Sequence, residues 1–581
     1  MRRKPLLLTS LLVVTLLPLS SYLYRQLSRP ALAAPSAETL ALQQAVTIYR
    51  DELGVPHIHG QTDNAVAFGF AFAHSEDDFP TIQGSLAAAR GQLGLLLPGE
   101  LAGANDFLVQ LLDVQRNAHT QFDELPADFQ AYLNAYAAGL NYYAYLHPDE
   151  ADSRLFPLSG VDVVAGFNHK LPLMMGVGSA LQNLFSFTPE QLQVGQPVER
   201  KLDQVPELPD WFSGRLAGSN AHAVKRQRSS DYVTRLNINS HQPWEGPVAW
   251  YEAHLISDQG MNILGGTFPG APVILHGHNN KLGWAHTVNR PDMIDLYKLT
   301  VRENPALECQ LDGQWLPLRE HNAAMTLDLK VFDWTVNKSY YESEHGPVVK
   351  LDSGDYYAVR FPGRATQGKA VYQWYLMDKA QSLSQWQAAM GLQYLSMMNT
   401  LYADRDNIFY VYNALLPVRE EGPDWRTILP GDQRSLIWQD TLVYERLPQV
   451  LNPASGLLMN TNTTPFLATD GPENPRPQDF SATLSIERVL NNRGWRTFET
   501  FGRDPQISRE EFLRYKFDQR YSRDSVVFKE LLDPLLANYQ GQTEDERQAL
   551  QQLRDWDGEM AADSTAASLV RLIEEPWNKP R

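Results

Sequence analysis

The feature that most limits what this chain can fold into is a change of hydrophobic period along its length. In the first part, Phe129, Tyr132, Leu133, Tyr136, Ala137, Leu140 and Tyr143 recur at intervals of three and four, which sets them on one face of a core helix. Before them, Val46 to Tyr49 reads as a strand, and Arg50 to Ile58 as a turn into the next strand. The pattern breaks at Val205-Pro206-Glu207-Leu208-Pro209-Asp210-Trp211, where two prolines and no sustained period mark a connecting loop over 200–218. Beyond it the period becomes two. Leu236 and Ile238 alternate with Arg235, Asn237 and Asn239, Trp250 to Ile256 follows, and Gly265 to Gly270 reads as a tight turn. Thr400 to Tyr402 and Ile408 to Tyr412, joined by Asp404-Arg405-Asp406-Asn407, read as a hairpin. Helices return where Ser508 and Glu511 form a capping box for a helix through Phe517, with further helical patterns over Val526 to Leu536 and Glu546 to Trp556. Helices on both sides of a long strand block predict an α+β chain in which helices layer on sheet.

Composition removes several classes of partner. With 50 Lys+Arg against 68 Asp+Glu the net charge is −18, which opposes attraction to nucleic acid or to an anionic membrane surface and leaves small molecules as the expected ligands. The single cysteine, Cys309, has no partner for an internal disulfide, so 581 residues must be held by packing. At the N-terminus Arg2, Arg3 and Lys4 precede an apolar run from Leu6 to Leu19, and Ala31-Leu32-Ala33 offers a small-residue cleavage pattern. Residues 1–34 therefore read as an export signal, with an uncleaved anchor as the alternative and the only route to a membrane. The expected location is the periplasm or the cell exterior.

Common catalytic signatures are missing: there is no Gly-x-Ser-x-Gly elbow, no His-Glu-x-x-His helix and no phosphate-binding Gly-x-x-x-x-Gly-Lys-Ser/Thr loop. His276, His278 and His286 form a second-choice metal reading, weakened by the lack of a carboxylate at ligand spacing.

What remains is a series: Ala217-Gly218-Ser219-Asn220-Ala221, then Asn237 to Trp244 with His241 inside it, Phe268-Pro269-Gly270-Ala271-Pro272, Gly277-His278-Asn279, Gly283 to Thr287, Asp292 with Asp295, and Ser455 to Asn462. In this order it resembles the penicillin acylase family of N-terminal-nucleophile hydrolases, which includes acyl-homoserine lactone acylases. Upstream, Arg50 to Ile58 and Ala67-Phe68-Gly69-Phe70-Ala71 resemble the start of that family's smaller chain, so the likeness spans nearly the whole mature sequence.

The resemblance implies a four-layer α/β/β/α fold and a precursor cut before Ser219 into a heterodimer: a mainly helical small-chain region over 35–199, a linker over 200–218 and a large-chain region over 219–581. It implies hydrolysis of a linear amide, with a small-molecule acyl amide as substrate and an acyl-enzyme on Ser219. The chemistry is self-consistent, because a freed α-amine with a pKa near ~8 can take the serine proton. The matching oxyanion donors are the backbone N–H of Val288 and the side-chain amide of Asn462. His241 matches the residue that orients the nucleophile, and Arg493 matches an arginine near the site, with Arg488 and Arg496 close enough in sequence to compete for that place. No cofactor is expected for catalysis. Asp292 and Asp295 match carboxylates that hold a structural calcium ion in some members, against the plain reading of a surface turn.

Two departures stand out. His222 occupies a position where the family usually has tryptophan. The family's large chain normally continues well beyond the position of Arg581, so the expectation is a shortened large chain with an unpaired sheet edge. The competing reading is an exported, non-catalytic binding or structural homologue that no longer matures.

Overall fold

The structure, a computed structural model, describes residues 29–97, 99–197 and 218–577. The export-signal reading falls almost wholly, and the Pro-rich linker reading almost entirely, outside the described residues. Among the described residues no helix is long and apolar enough to cross a membrane.

The period-two block builds a sheet of nine strands in the order Val46–Arg50, Pro56–Gly60, Tyr251–Ser257, Asn262–Thr267, His276–His278, Leu282–Thr287, Asn399–Asp404, Ile408–Tyr412, Gln449–Leu451. All neighbours are antiparallel except Pro56–Gly60 with Tyr251–Ser257, where the first segment of the chain joins the second in parallel, Ile58 opposite Leu255. A smaller sheet of Leu457–Asn460, Gly218–Val224 and Arg235–His241 packs on its middle. Leu282–Thr287 is buried at every residue. That is the pattern of a strand covered on both faces.

Helices close both outer sides. Asp63–Arg90, started by Thr62, whose side chain accepts from the Ala65 N–H, lies on the large sheet and packs along Ala127–Leu146, and all seven residues of the sequence-predicted face of the latter are buried. On the far side, Phe501 and Phe512 from the segment after Asn491 pack on Val224 and Leu457 of the small sheet. The layers are thus helix, sheet, sheet, helix. One continuous apolar core joins residues from Ile58 to Leu192 with residues from Ala221 to Leu484.

One local expectation fails. Gly265 and Gly266 lie inside the strand Asn262–Thr267 and make no turn. They serve close approach: a Cβ on Gly265 would stand 1.9 Å from the His276 carbonyl oxygen, and one on Gly266 would stand 3.0 Å from the Trp250 ring. The chain turns just beyond them, at Phe268 to Ala271, where Gly270 has φ +82° and the Ala271 N–H donates to the Phe268 carbonyl.

Candidate active site

Along Gly218–Val224 side chains alternate between the sheet's two faces. Ala221 and Ala223 belong to the core between the sheets, whereas Val224 packs toward the outer helices. Ser219 shares the parity of the alanines and is buried, at 3% exposure, against a cavity between the layers. Asn220 and His222 point the other way, to the helix Asn492–Thr497 and its continuation.

Around Ser219 the structure assembles residues far apart in sequence. Its backbone N–H donates to Oδ1 of Asn462 (2.5 Å), and Asn462 Nδ2 donates to the Val288 carbonyl (2.7 Å). Asn462 holds a left-handed backbone, φ +61°, directly after the strand Leu457–Asn460. Asparagine tolerates that region better than most residues, and such outliers concentrate at functional sites. Arg493 donates to the Ser219 carbonyl, to Oδ1 of Asn220 (2.6 Å) and to Oδ1 of Asn462 (3.0 Å). Burial lowers its guanidinium to about 10, so it stays charged at neutral pH. Its sequence neighbours are elsewhere: Arg496 pairs with Asp518 and Glu499, and Arg488 is exposed. His241 ends the adjacent strand directly opposite Gly218.

Gly218 has φ +129°, and a Cβ there would stand 2.3 Å from Asn462 Oδ1 and 2.7 Å from Arg493 Nη2. Only glycine fits at this position.

Beneath the pair Asn462 and Val288 lies a polar network that the sequence reading did not assign. Asn460 Oδ1 accepts from the Asn462 N–H (2.8 Å), from Thr287 Oγ1 (2.6 Å) and from Asn399 Nδ2 (3.1 Å), while Tyr410 OH donates to Asn399 Oδ1 (2.7 Å). These groups are fully buried or nearly so, and mutual satisfaction fixes where the Asn462 amide points. Asn399 was not found because no local pattern ties it to Asn460; only the stacking of the two sheets does.

His222, the departure from the family's tryptophan, sits between Asn237 Oδ1 (3.1 Å) and Thr497 Oγ1 (2.9 Å) and stacks on Phe501 with ring centroids 4.3 Å apart. Burial above all, with the nearby Arg493 charge opposing the Asn237 hydrogen bond, lowers it to about 4. It is a neutral packing histidine. The metal reading of His276, His278 and His286 finds no support in their contacts: Trp374 Nε1 donates to His286 Nε2 (3.1 Å), so His286 carries its proton on Nδ1, facing Thr400 Oγ1 (2.9 Å). His276 Nδ1 accepts from the His286 N–H, which leaves Nε2–H to face Ser240 Oγ (3.3 Å).

The carboxylates offered for calcium are engaged otherwise. Asp295 begins the strand Asp295–Leu299, is fully buried, and accepts two guanidinium nitrogens of Arg419 (2.9 and 3.1 Å) and the Trp438 indole N–H (2.7 Å). Arg419 also donates to the Asp292 carbonyl (2.8 Å), and its Nη2 lies 3.9 Å from the Asp292 carboxylate. A permanent cation already fills the charge requirement, and a hard metal would have to displace it. Asp295 is therefore not available to a calcium ion without displacing Arg419. The surface-turn alternative fails for Asp295 as well, since its side chain is wholly enclosed. Among the described residues, no group of three or more His, Cys, Asp or Glu side chains is placed to hold a metal.

Two stacked sheets between helical layers, with a serine facing the space between the sheets directly after a glycine, define the N-terminal-nucleophile hydrolase fold. A sequence model of the penicillin amidase family matches residues 45–578, and the chain belongs to that family. It is 27% identical over 402 residues to the acyl-homoserine lactone acylase PvdQ of Pseudomonas fluorescens (strain Pf0-1), covering 65% of this chain and 51% of that protein. It is 23% identical over 407 residues to the aculeacin-A acylase of Actinoplanes utahensis, covering 64% and 50%. The chain spans about half the length of these curated relatives. A solved structure of a thermostable penicillin G acylase from Alcaligenes faecalis aligns at 22% identity with a TM-score of 0.49, covering 58% of this chain and 59% of that one.

Proposed function

We propose that this chain is the precursor of an acylase, which cuts itself before Ser219 and then hydrolyses a linear amide through an acyl-enzyme on that serine. The observation that carries the reading is the Ser219 N–H held on Asn462 Oδ1, beside Arg493 and at the mouth of an apolar cavity. Attack of the Ser219 hydroxyl on the Gly218 carbonyl breaks the C–N bond, which frees the α-amine and leaves Gly218 as an ester on Oγ; water then hydrolyses that ester, releasing the Gly218 carboxylate and the Ser219 hydroxyl. That amine then stays where its N–H now points, next to its own hydroxyl, and serves as the base. In each turnover the hydroxyl adds to the substrate carbonyl, the amine takes its proton and returns it to the leaving amine, and water repeats the sequence on the ester. Asn462 and the Val288 N–H would meet the oxyanion, once the Asn462 amide turns its N–H from the Val288 carbonyl to the substrate. Arg493 orients Asn462 and the first peptide of the new chain. After scission the segments would remain a heterodimer, because they share one core and one sheet. The proposed setting is the periplasm or cell exterior, from the N-terminal signal pattern.

Purified protein on a denaturing gel should show two chains, with the larger beginning Ser219-Asn220-Ala221. It should release free amine from an acyl-homoserine lactone or phenylacetyl amide. A different terminus removes Ser219 as nucleophile; one intact chain without amine release establishes the non-catalytic homologue instead.

A further inference from the structure

The cavity at Ser219 measures ≈ 50 Å³, and one of its walls comes from the other side of the proposed cut. On the helix Gly160–Met174, residues Gly166, Phe167, Lys170, Leu171 and Met174 form one stripe at helical spacing and face the cavity. Trp250, Phe268, Leu275, Trp374 and Met398 complete a mainly apolar lining, to which Ser240, Gln242, His276 and His286 add neutral polar groups. Lys170 is out of character there. A cavity meant only for a hydrocarbon or a phenyl ring gains nothing from an ammonium group, which costs free energy to desolvate unless something offsets its charge.

Nothing in the described protein does so. Lys170 Nζ donates to the Pro269 carbonyl (2.7 Å) and makes no ion pair among the described residues. Burial lowers it to about 7. Burial, with the charge of Lys170 as the lesser cause, holds His74 and His169 down at about 3, and burial alone does so for His276 across the cavity, so all three stay neutral. These three imidazoles are thus uncharged, and among the described residues the Pro269 carbonyl is the one acceptor the ammonium meets, for three protons. Asp106 and Asp162 of the helical layer are spent on the backbone N–H groups of Leu93 and Gly94 and on Arg90.

We infer that the acyl group this site accepts ends in a carboxylate, which enters the cavity and pairs with Lys170, so that the substrate is a monoamide of a short dicarboxylic acid. The inference rests on the acylase reading above and narrows it. Ser240, whose hydroxyl lines the same cavity beside His276 Nε2, supplies a second donor for the entering oxygen.

The test compares 4-nitroanilides of glutaric acid (as the monoamide), pentanoic acid and phenylacetic acid, with the mature protein, and adds Lys170→Met and Lys170→Arg. The glutaryl compound should exceed the pentanoyl one in kcat/KM by ~10-fold or more, in line with the loss seen when one member of a buried pair is removed. Lys170→Met should invert that order, and Lys170→Arg should restore it in part. Glutarate should also raise the melting temperature of the wild-type protein more than pentanoate does, a readout that needs no turnover. A pentanoyl or phenylacetyl preference in the wild type overturns the inference, as does a preference that follows a carboxylate placed on the amine side. If no anilide is cleaved while glutarate stabilises the wild type and not Lys170→Met, the acylase reading fails and the carboxylate site stands. If wild type cleaves all three alike, the reverse holds.

Discussion

At the scale of single residues, the site turns on one asparagine. Asn462 accepts from the Ser219 N–H through its oxygen while its nitrogen is parked on the Val288 carbonyl. Replacing it by alanine removes the proposed oxyanion donor and the partner of the Ser219 N–H but leaves Ser219, Arg493 and the strand pairing in place. Asn462→Ala should therefore fold and lose ~10²–10³-fold in kcat, by analogy with the loss of one oxyanion donor. Kinetics on protein whose cut state has been checked by gel would decide; full activity in a matured variant would exclude Asn462 from the reaction. Asn399, which touches neither Ser219 nor the cavity, acts only by holding Asn460 and Val288, so its role is positional.

Between elements, Arg419 is the clamp. It joins the strand Asp295–Leu299 to the carbonyls of Asp292 and Thr483 with no exposed side-chain surface. Arg419→Met would remove the guanidinium that pairs with the buried Asp295 carboxylate, a change that typically costs ~3–5 kcal/mol. Urea denaturation should register that loss, while a chelator should leave the wild-type midpoint unchanged. A midpoint that falls with chelator and returns with calcium would overturn the clamp. The same element shows where sequence reasoning runs out. Two aspartates three apart are a plain enough mark of a site that wants a cation, but Arg419 is more than a hundred positions downstream and nothing in its own surroundings points back to them. Local periodicity, in contrast, carried the helix Ala127–Leu146, whose burial repeats within a few residues, and placed the strand Arg235–His241, although the one residue buried there is Asn237 and neither Leu236 nor Ile238 is fully enclosed. The run Gly265-Gly266 was misread for a related reason: turns and close strand contacts both select glycine, and only the third dimension separates them. The motif series likewise named Ser219, Asn462 and Arg493, but gave no role to Lys170, whose spacing is simply that of a helix face.

For the whole molecule, acid is the expected weakness. His74, His169, His222, His286 and His345 are buried in the neutral form; burial lowers His74 and His169 to about 3, His222 and His345 to about 4, and His286 strongly. An unfolded chain takes up protons on these groups as pH falls below ~6.5, and the folded one does not. Stability from this source is complete above that pH and is lost as pH falls toward the folded values, at about 1.4 kcal/mol per unit for each histidine. Five such groups can consume the ~5–15 kcal/mol by which a domain is stable. The melting temperature should drop steeply between pH 6.5 and 4, and an unchanged value down to pH 5 would show that these rings are protonated or solvated in the native state.

The partition of the Ser219 cavity has its own consequence. Its reacting groups come from the segment that begins at Ser219, yet the wall with Phe167, Lys170 and Met174 comes from the segment that precedes Gly218. On the proposed function, reactivity and choice of substrate would thus be encoded on separate stretches of gene that meet through one shared core. Exchange of the leading stretch between relatives would graft a new preference onto an unaltered reaction centre, and the two stretches could diversify under different selective pressures while remaining a single working enzyme.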